Sequence, residues 1–154
     1  MISAGNRRVK QIALNEMQAL ATGCTGIWKT SGHSPISAMI YAEIIHEAGF
    51  PAGVFNLVQG DGHTVGAAMS RHCDIQMMSF TGSTRAGMAV TRDAADTVKR
   101  VTLELGGKSP NLVFADCDLQ DRVTASVGDC MYNTGQSCDA PTRLLVERSC
   151  YGLF

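Results

Sequence analysis

The feature that most constrains this chain is an alternation of strand-like and helical segments. Short apolar runs end in glycine- or hydroxyl-rich turns, and most of these turns lead into a segment with helical spacing. Strand-like runs cover Thr25–Lys29, Val54–Val58, Ile75–Phe80, Arg100–Leu105 and Asn111–Phe114, and Arg143–Glu147 also reads as extended. Between them the spacing predicts helices over residues 12–21, 34–48, 65–70, 85–95 and 119–132. Ser34-Pro35 reads as an N-cap followed by proline at the first helical position. Ile36, Met39, Ile40, Ile44 and Ile45 then recur at helical spacing until Gly49.

Strands alternating with helices in units of about 20 to 25 residues imply a parallel sheet wrapped by helices. The expected fold class is α/β: a Rossmann-like open parallel sheet with helices on both faces. Ligands of such sheets lie outside the carboxyl ends of the strands. Lys29, Gly60, Gly82-Ser83 and Glu104 each follow or end a strand, which points to one shared crevice.

Composition narrows the class further. The 154 residues carry 13 basic and 14 acidic side chains, a net charge of −1, which gives no electrostatic case for nucleic acid or an anionic membrane. No apolar run approaches the roughly 18 to 20 residues of a membrane span. Cys24, Cys73, Cys117, Cys130, Cys138 and Cys150 show no Cys-x-x-Cys pair and read as reduced thiols of a cytoplasmic protein. His33, His46, His63 and His72 have no partner pattern, and no metal site is expected.

Two positions carry candidate chemistry. Glu104 sits at the end of an apolar strand beside Gly106-Gly107, and its flanking Leu103 and Leu105 argue for a partly buried carboxyl with a raised pKa. An exposed strand-end carboxylate is the plain alternative. Cys138 lies in Gly135-Gln136-Ser137-Cys138 just past a helix, a tight loop-presented position. A thiol there suits nucleophilic catalysis once deprotonated, although a free cysteine is more often a small buried hydrophobe. Phe80-Thr81-Gly82-Ser83-Thr84 forms a strand, a glycine turn and a helix start, which favours a phosphate or is simply an N-capped helix.

Leu103-Glu104-Leu105-Gly106-Gly107-Lys108, Gly135-Gln136-Ser137-Cys138 and Phe80-Thr81-Gly82-Ser83-Thr84 together closely resemble the signatures of the NAD(P)-dependent aldehyde dehydrogenases. The resemblance runs from Ile2 to about Glu147. It implies that residues 1–106 belong to the cofactor-binding domain, incomplete at its N-terminus, and 107–154 to the start of the catalytic domain. The family's catalytic subunits are much longer and oligomeric. A sheet cut this way is expected to expose strand edges and apolar faces.

By this resemblance Cys138 attacks the aldehyde, Glu104 activates the water that hydrolyses the thioester, and Asn6 stabilises the oxyanion. Asn6 stands where the family has Pro-Trp-Asn, but its neighbours here are Gly5 and Arg7. A frayed polar residue near a terminus is its plain reading. NAD or NADP is the implied cofactor, with contacts at Lys29, Ser31, Gly60, Gly82, Ser83, Leu105 and Gly106. Without the resemblance Lys29 would read as a surface lysine. The family commonly continues Lys-Pro-Ser-Glu, whereas this chain reads Lys29-Thr30-Ser31-Gly32, so a ribose-binding carboxylate is lost along with its repulsion of a 2′-phosphate. The implied activity is oxidation of an aldehyde to a carboxylic acid. Two alternatives stand beside it: an inactive cofactor-binding or interaction fragment, and a CoA-acylating relative.

Overall fold

A computed structural model describes residues 1–153, the side chain of Arg8 apart. The chain forms two compact units, Met1–Leu105 and a second that begins at Gly106.

In the first unit β1 (Gly26–Lys29) pairs in parallel with β2 (Phe55–Val58), and β3 (Met77–Gly82) pairs in parallel with β4 (Arg100–Leu105). The two pairs are joined by the first three residues. Ile2 bridges Lys29 on one side and Phe80 on the other. The Ile2 amide donates to the Ser79 carbonyl at 2.8 Å and the Thr81 amide to the Ile2 carbonyl at 2.9 Å; on the other flank the Ser3 amide donates to Lys29 at 3.1 Å. Residues 1–3 therefore run down the middle of the sheet. The spatial order, β2, β1, residues 1–3, β3, β4, is third, second, first, fourth, fifth in the chain, the doubly wound order. The sequence reading began its strands at Thr25 and missed this central one.

Helices α1 (Arg8–Ala21), α2 (Ile36–Glu47), α3 (Ala67–Arg71) and α4 (Thr84–Ala95) cover the sheet. One core joins Ile12, Trp28 and Ala38 with Met1, Tyr41, Phe55 and Leu57; the other joins Ile2, Met69, Met78, Phe80 and Val90 with Val58, Val101, Leu103 and Leu105. Adjacent strand residues point to opposite faces. Met1 and Ile2, and likewise Leu57 and Val58, feed different cores, so the helices lie on both faces. Trp28 is 1% exposed and fixes the first core: its Nε1 donates to Ser3 Oγ at 2.8 Å, and its ring meets Tyr41 and Phe55 at 6.4 and 6.3 Å.

Three predicted details differ. Ser34 makes no cap bond to α2, because Pro35 itself occupies the N-cap position with helical dihedrals (φ −76°, ψ −30°), and Ser34 Oγ is left buried without a partner. Of the apolar residues that mark α2, only Ile45 is buried; Ala38 and Tyr41 face the sheet, and Ile36, Met39, Ile40 and Ile44 are exposed. The helix expected over 65–70 is a π-turn over Gly62–Gly66 that runs into α3.

In the second unit β5 (Pro110–Val113) pairs in parallel with β6 (Arg143–Val146). Parallel neighbours need a crossover. Here it consists of α5 (Leu119–Met131), capped by Asp118, whose Oδ1 accepts the Asp121 amide, followed by the loop that carries Cys138. Asn111 Nδ2 donates to Ser126 Oγ at 2.8 Å and ties β5 to α5.

Candidate active site

The carboxyl ends of the first unit's strands gather most of the singled-out residues. Residues 1–3 end at the point where the chain order reverses, the usual ligand position of such sheets. Asn6 follows directly. It is half-buried, and the loop before it is tightly fitted: a Cβ on Gly5 would lie 2.7 Å from Ser34 Oγ and 3.2 Å from Ser31 Oγ. The backbone just before Asn6 is thus held against the loop after β1.

Lys29 corrects the surface-lysine reading. It is 5% exposed, and its Nζ donates to the Thr30 carbonyl at 2.9 Å. Burial pushes its pKa down, and the Asp61 carboxylate draws it partly back. Asp61, in the turn after β2, is the member of this edge that sequence reasoning passed over. Ser31 Oγ accepts the His33 amide at 3.3 Å. Gly60 has φ +142°, and a Cβ there would lie 2.4 Å from Val65 Cγ2, so only glycine lets the chain enter the π-turn here.

At the end of β3, Ser83 caps α4, its Oγ accepting the Ala86 amide at 3.3 Å and its carbonyl the Gly87 amide at 2.9 Å. The amides at a helix start point out of its end, and the dipole there favours an anion. The glycine before it has a packing reason too, because a Cβ on Gly82 would lie 2.6 Å from the Phe80 ring. Leu105 packs inward, its Cδ2 filling the space a Cβ on Gly87 would take, whereas Gly106 is open. A buried ammonium, a capped helix start and side-chain-free turns fit a phosphate-bearing dinucleotide.

Glu104 departs from expectation: it is exposed, not partly buried. The reason is the two-residue period of β4. Val101, Leu103 and Leu105 pack into the core under α4, which sends Glu104 to the opposite face.

In the second unit Cys138 follows a strained turn. Asn133 (φ 53°), Thr134 (φ 57°) and Gly135 (φ 75°) are consecutive left-handed residues, and for a β-branched residue such as Thr134 this is a genuine outlier. Asn133 Nδ2 donates to the Gln136 carbonyl at 3.1 Å and braces the loop. Such strain persists only where the surroundings impose it, and it clusters at functional positions. The Cys138 carbonyl lies 3.0 Å from where a Cβ on Gly107 would stand, so the glycine pair and the cysteine loop are in contact. Cys138 is half-buried, unlike Cys150, which is fully buried.

A doubly wound α/β sheet with its polar residues at the carboxyl edge is an architecture shared by dinucleotide-binding proteins. The aldehyde dehydrogenase family profile matches residues 1–154, and the chain belongs to that family. It is 52% identical over 149 residues to a 3-succinoylsemialdehyde-pyridine dehydrogenase from a Pseudomonas species, covering 97% of this chain and 31% of that protein. It is 53% identical over 133 residues to the NADP/NAD-dependent aldehyde dehydrogenase PuuC of Escherichia coli, covering 85% of this chain and 27% of that one. A crystal structure of aldehyde dehydrogenase from Bartonella henselae superposes with a TM-score of 0.95 at 51% identity. A mutant aldehyde dehydrogenase C of Pseudomonas syringae, crystallised with NAD+ and octanal, also gives 0.95, at 48% identity. Each match covers 99% of this chain and 32% of the solved one. The chain thus spans about a third of the length of these relatives. No helix among the described residues is long and apolar enough to cross a membrane.

Proposed function

We propose that this chain carries the cofactor edge and the nucleophile of an NAD(P)-dependent aldehyde dehydrogenase, residues 1–106 serving the cofactor and 107–154 the thiol chemistry. The observation that carries this reading is the doubly wound strand order, which puts Asn6, Lys29, Ser83 and Glu104 at or near the carboxyl edge of one sheet. The family match along the whole chain supports it.

The capped start of α4 at Ser83 would receive a phosphate, with the turns at Gly60 and Gly82 admitting the ligand closely. Lys29 and Ser31, after β1, would meet ribose hydroxyls; with no carboxylate at Gly32, a 2′-phosphate meets no repulsion there, so either NAD or NADP is accepted. Leu105 and Gly106 would lie near the flat nicotinamide. A nicotinamide held there would supply the acceptor for the hydride whose loss turns a thiohemiacetal at Cys138 into a thioester. Cys138 Sγ, as thiolate, adds to the aldehyde carbon, and the Asn6 amide donates to the oxyanion so formed. Glu104 takes a proton from the water that attacks the thioester, which releases the carboxylic acid and restores the thiol. An exposed Glu104 is open to that water.

One second reading is a cofactor-binding chain without turnover, supported by Gly5 and Arg7 beside Asn6 and by Gly32 after Ser31. The test of the binding half is thermal unfolding of the chain with NAD+ or NADP+. A native-state ligand at a hundred times its dissociation constant adds about 2.7 kcal/mol of stability. A rise in the midpoint with either cofactor is expected; an unchanged cooperative transition with both would overturn the reading.

A further inference from the structure

Among the described residues one group of three potential metal donors stands outside the catalytic edge: His72, Cys73 and Asp74, whose donor atoms all lie within 4.8 Å of one another. They occupy the turn between α3 and β3, at the amino end of the strand, opposite the end that carries Gly82 and Ser83. No spacing signature marks them in the sequence. Their arrangement emerges from the turn.

The backbone of this turn is held from several sides. The His72 amide donates to the Met69 carbonyl and the Ile75 amide to the His72 carbonyl, which also accepts from the Lys99 ammonium. The side chains are preset as well. His72 Nδ1 accepts the Asp74 amide at 3.2 Å, so its lone pair faces into the turn. The Cys73 thiol donates to Asp74 Oδ1 at 3.7 Å, which puts a proton acceptor beside the sulfur. All three residues are exposed.

We propose that His72, Cys73 and Asp74 form a surface site for a soft divalent transition metal of the zinc type. One imidazole, one thiolate and one carboxylate make a three-ligand set with room for water in the fourth tetrahedral position, and the thiolate disfavours Mg2+ and Ca2+. Binding exchanges the Cys73 S–H bond for a sulfur–metal bond, the Asp74 amide contact of His72 Nδ1 for a nitrogen–metal bond, and releases one proton; no electron moves. The ion would clasp the end of α3 to the start of β3 and leave the catalytic edge untouched.

Cobalt(II) is the probe, because a thiolate ligand gives it a charge-transfer absorption that solvated ions lack. With Cys138→Ser as background, the chain titrated with Co2+ should develop this band to one equivalent, and Zn2+ should bleach it. Cys73→Ser should abolish the band, and Asp74→Asn should weaken binding by at least the ~10–100-fold typical of losing an outer-shell partner. No band in the background protein, or an equal band in Cys73→Ser, would overturn the proposal.

Discussion

The least expected residue of the first unit is Glu16. It lies in the middle of α1, is 4% exposed, and its Oε1 has no hydrogen-bond partner. The carboxylate occupies space that β1 leaves vacant: a Cβ on Gly26 would lie 2.0 Å from Oε1 and 2.9 Å from Cδ. Burial raises the Glu16 pKa, and the nearby Met1 ammonium offsets this only in part. A carboxyl whose folded pKa exceeds its unfolded one stabilises the fold fully below the unfolded value, and that contribution is lost as pH rises through the folded value. Replacing Glu16 by Met keeps an unbranched side chain of similar reach and removes the orphaned polar group. Relief of an unsatisfied buried group is worth about 1–3 kcal/mol. For a chain of this size each kcal/mol moves the midpoint by about 2–4 °C, so Glu16→Met should melt roughly 2–12 °C higher at pH 8. The gain should shrink toward pH 4. Thermal or urea unfolding at several pH values measures both quantities. A variant that is less stable than the parent at pH 8 would refute the argument, because it would mean the carboxylate makes a favourable contact.

Gly26→Ala should destabilise the parent chain and do so less in the Glu16→Ala background, with a coupling of about 0.5–3 kcal/mol in a double-mutant cycle measured by urea unfolding. Ser83→Ala removes the cap of α4 and should cost about 1 kcal/mol, visible in the same unfolding curves, and should also weaken cofactor binding measured by calorimetry. Gly107→Ala puts a methyl 3.0 Å from the Cys138 carbonyl; the loop must shift, so the rate of Cys138 alkylation should change while the first unit's stability does not.

Much of this architecture is legible in the residues. The elements α4, α5, β3, β4 and β6 lie within a residue or two of where apolar spacing puts them, and in α4 and β4 the packed residues follow a single face. The central strand was hidden by its brevity: three residues bridged only at Ile2 carry no period. Asn6 carried two readings, an oxyanion donor by resemblance and a frayed residue by its place near a terminus; that it is half-buried is a tertiary fact. Lys29 is buried because it ends a strand beside the sheet's centre, where tertiary packing overrides the surface preference of lysine. Glu104 could have been read correctly, since Leu103 and Leu105 on one face send the residue between them to the other. Ser34 was misplaced as a cap because Pro35, already helical, took that position. The polar pair Asn15-Glu16 breaks the apolar pattern of α1. Its compensation appears only in three dimensions, in Gly26 and in Ser79, which donates to Asn15 Oδ1 at 3.1 Å.

The direct test of the central claim is formation of reduced cofactor by the purified chain given an aldehyde and NAD+ or NADP+, alongside its Cys138→Ser variant. The account expects turnover in the parent and none above background in the variant. Equal production of reduced cofactor by both, or a cofactor-bound parent that forms no thioester at Cys138 by mass spectrometry, would contradict it.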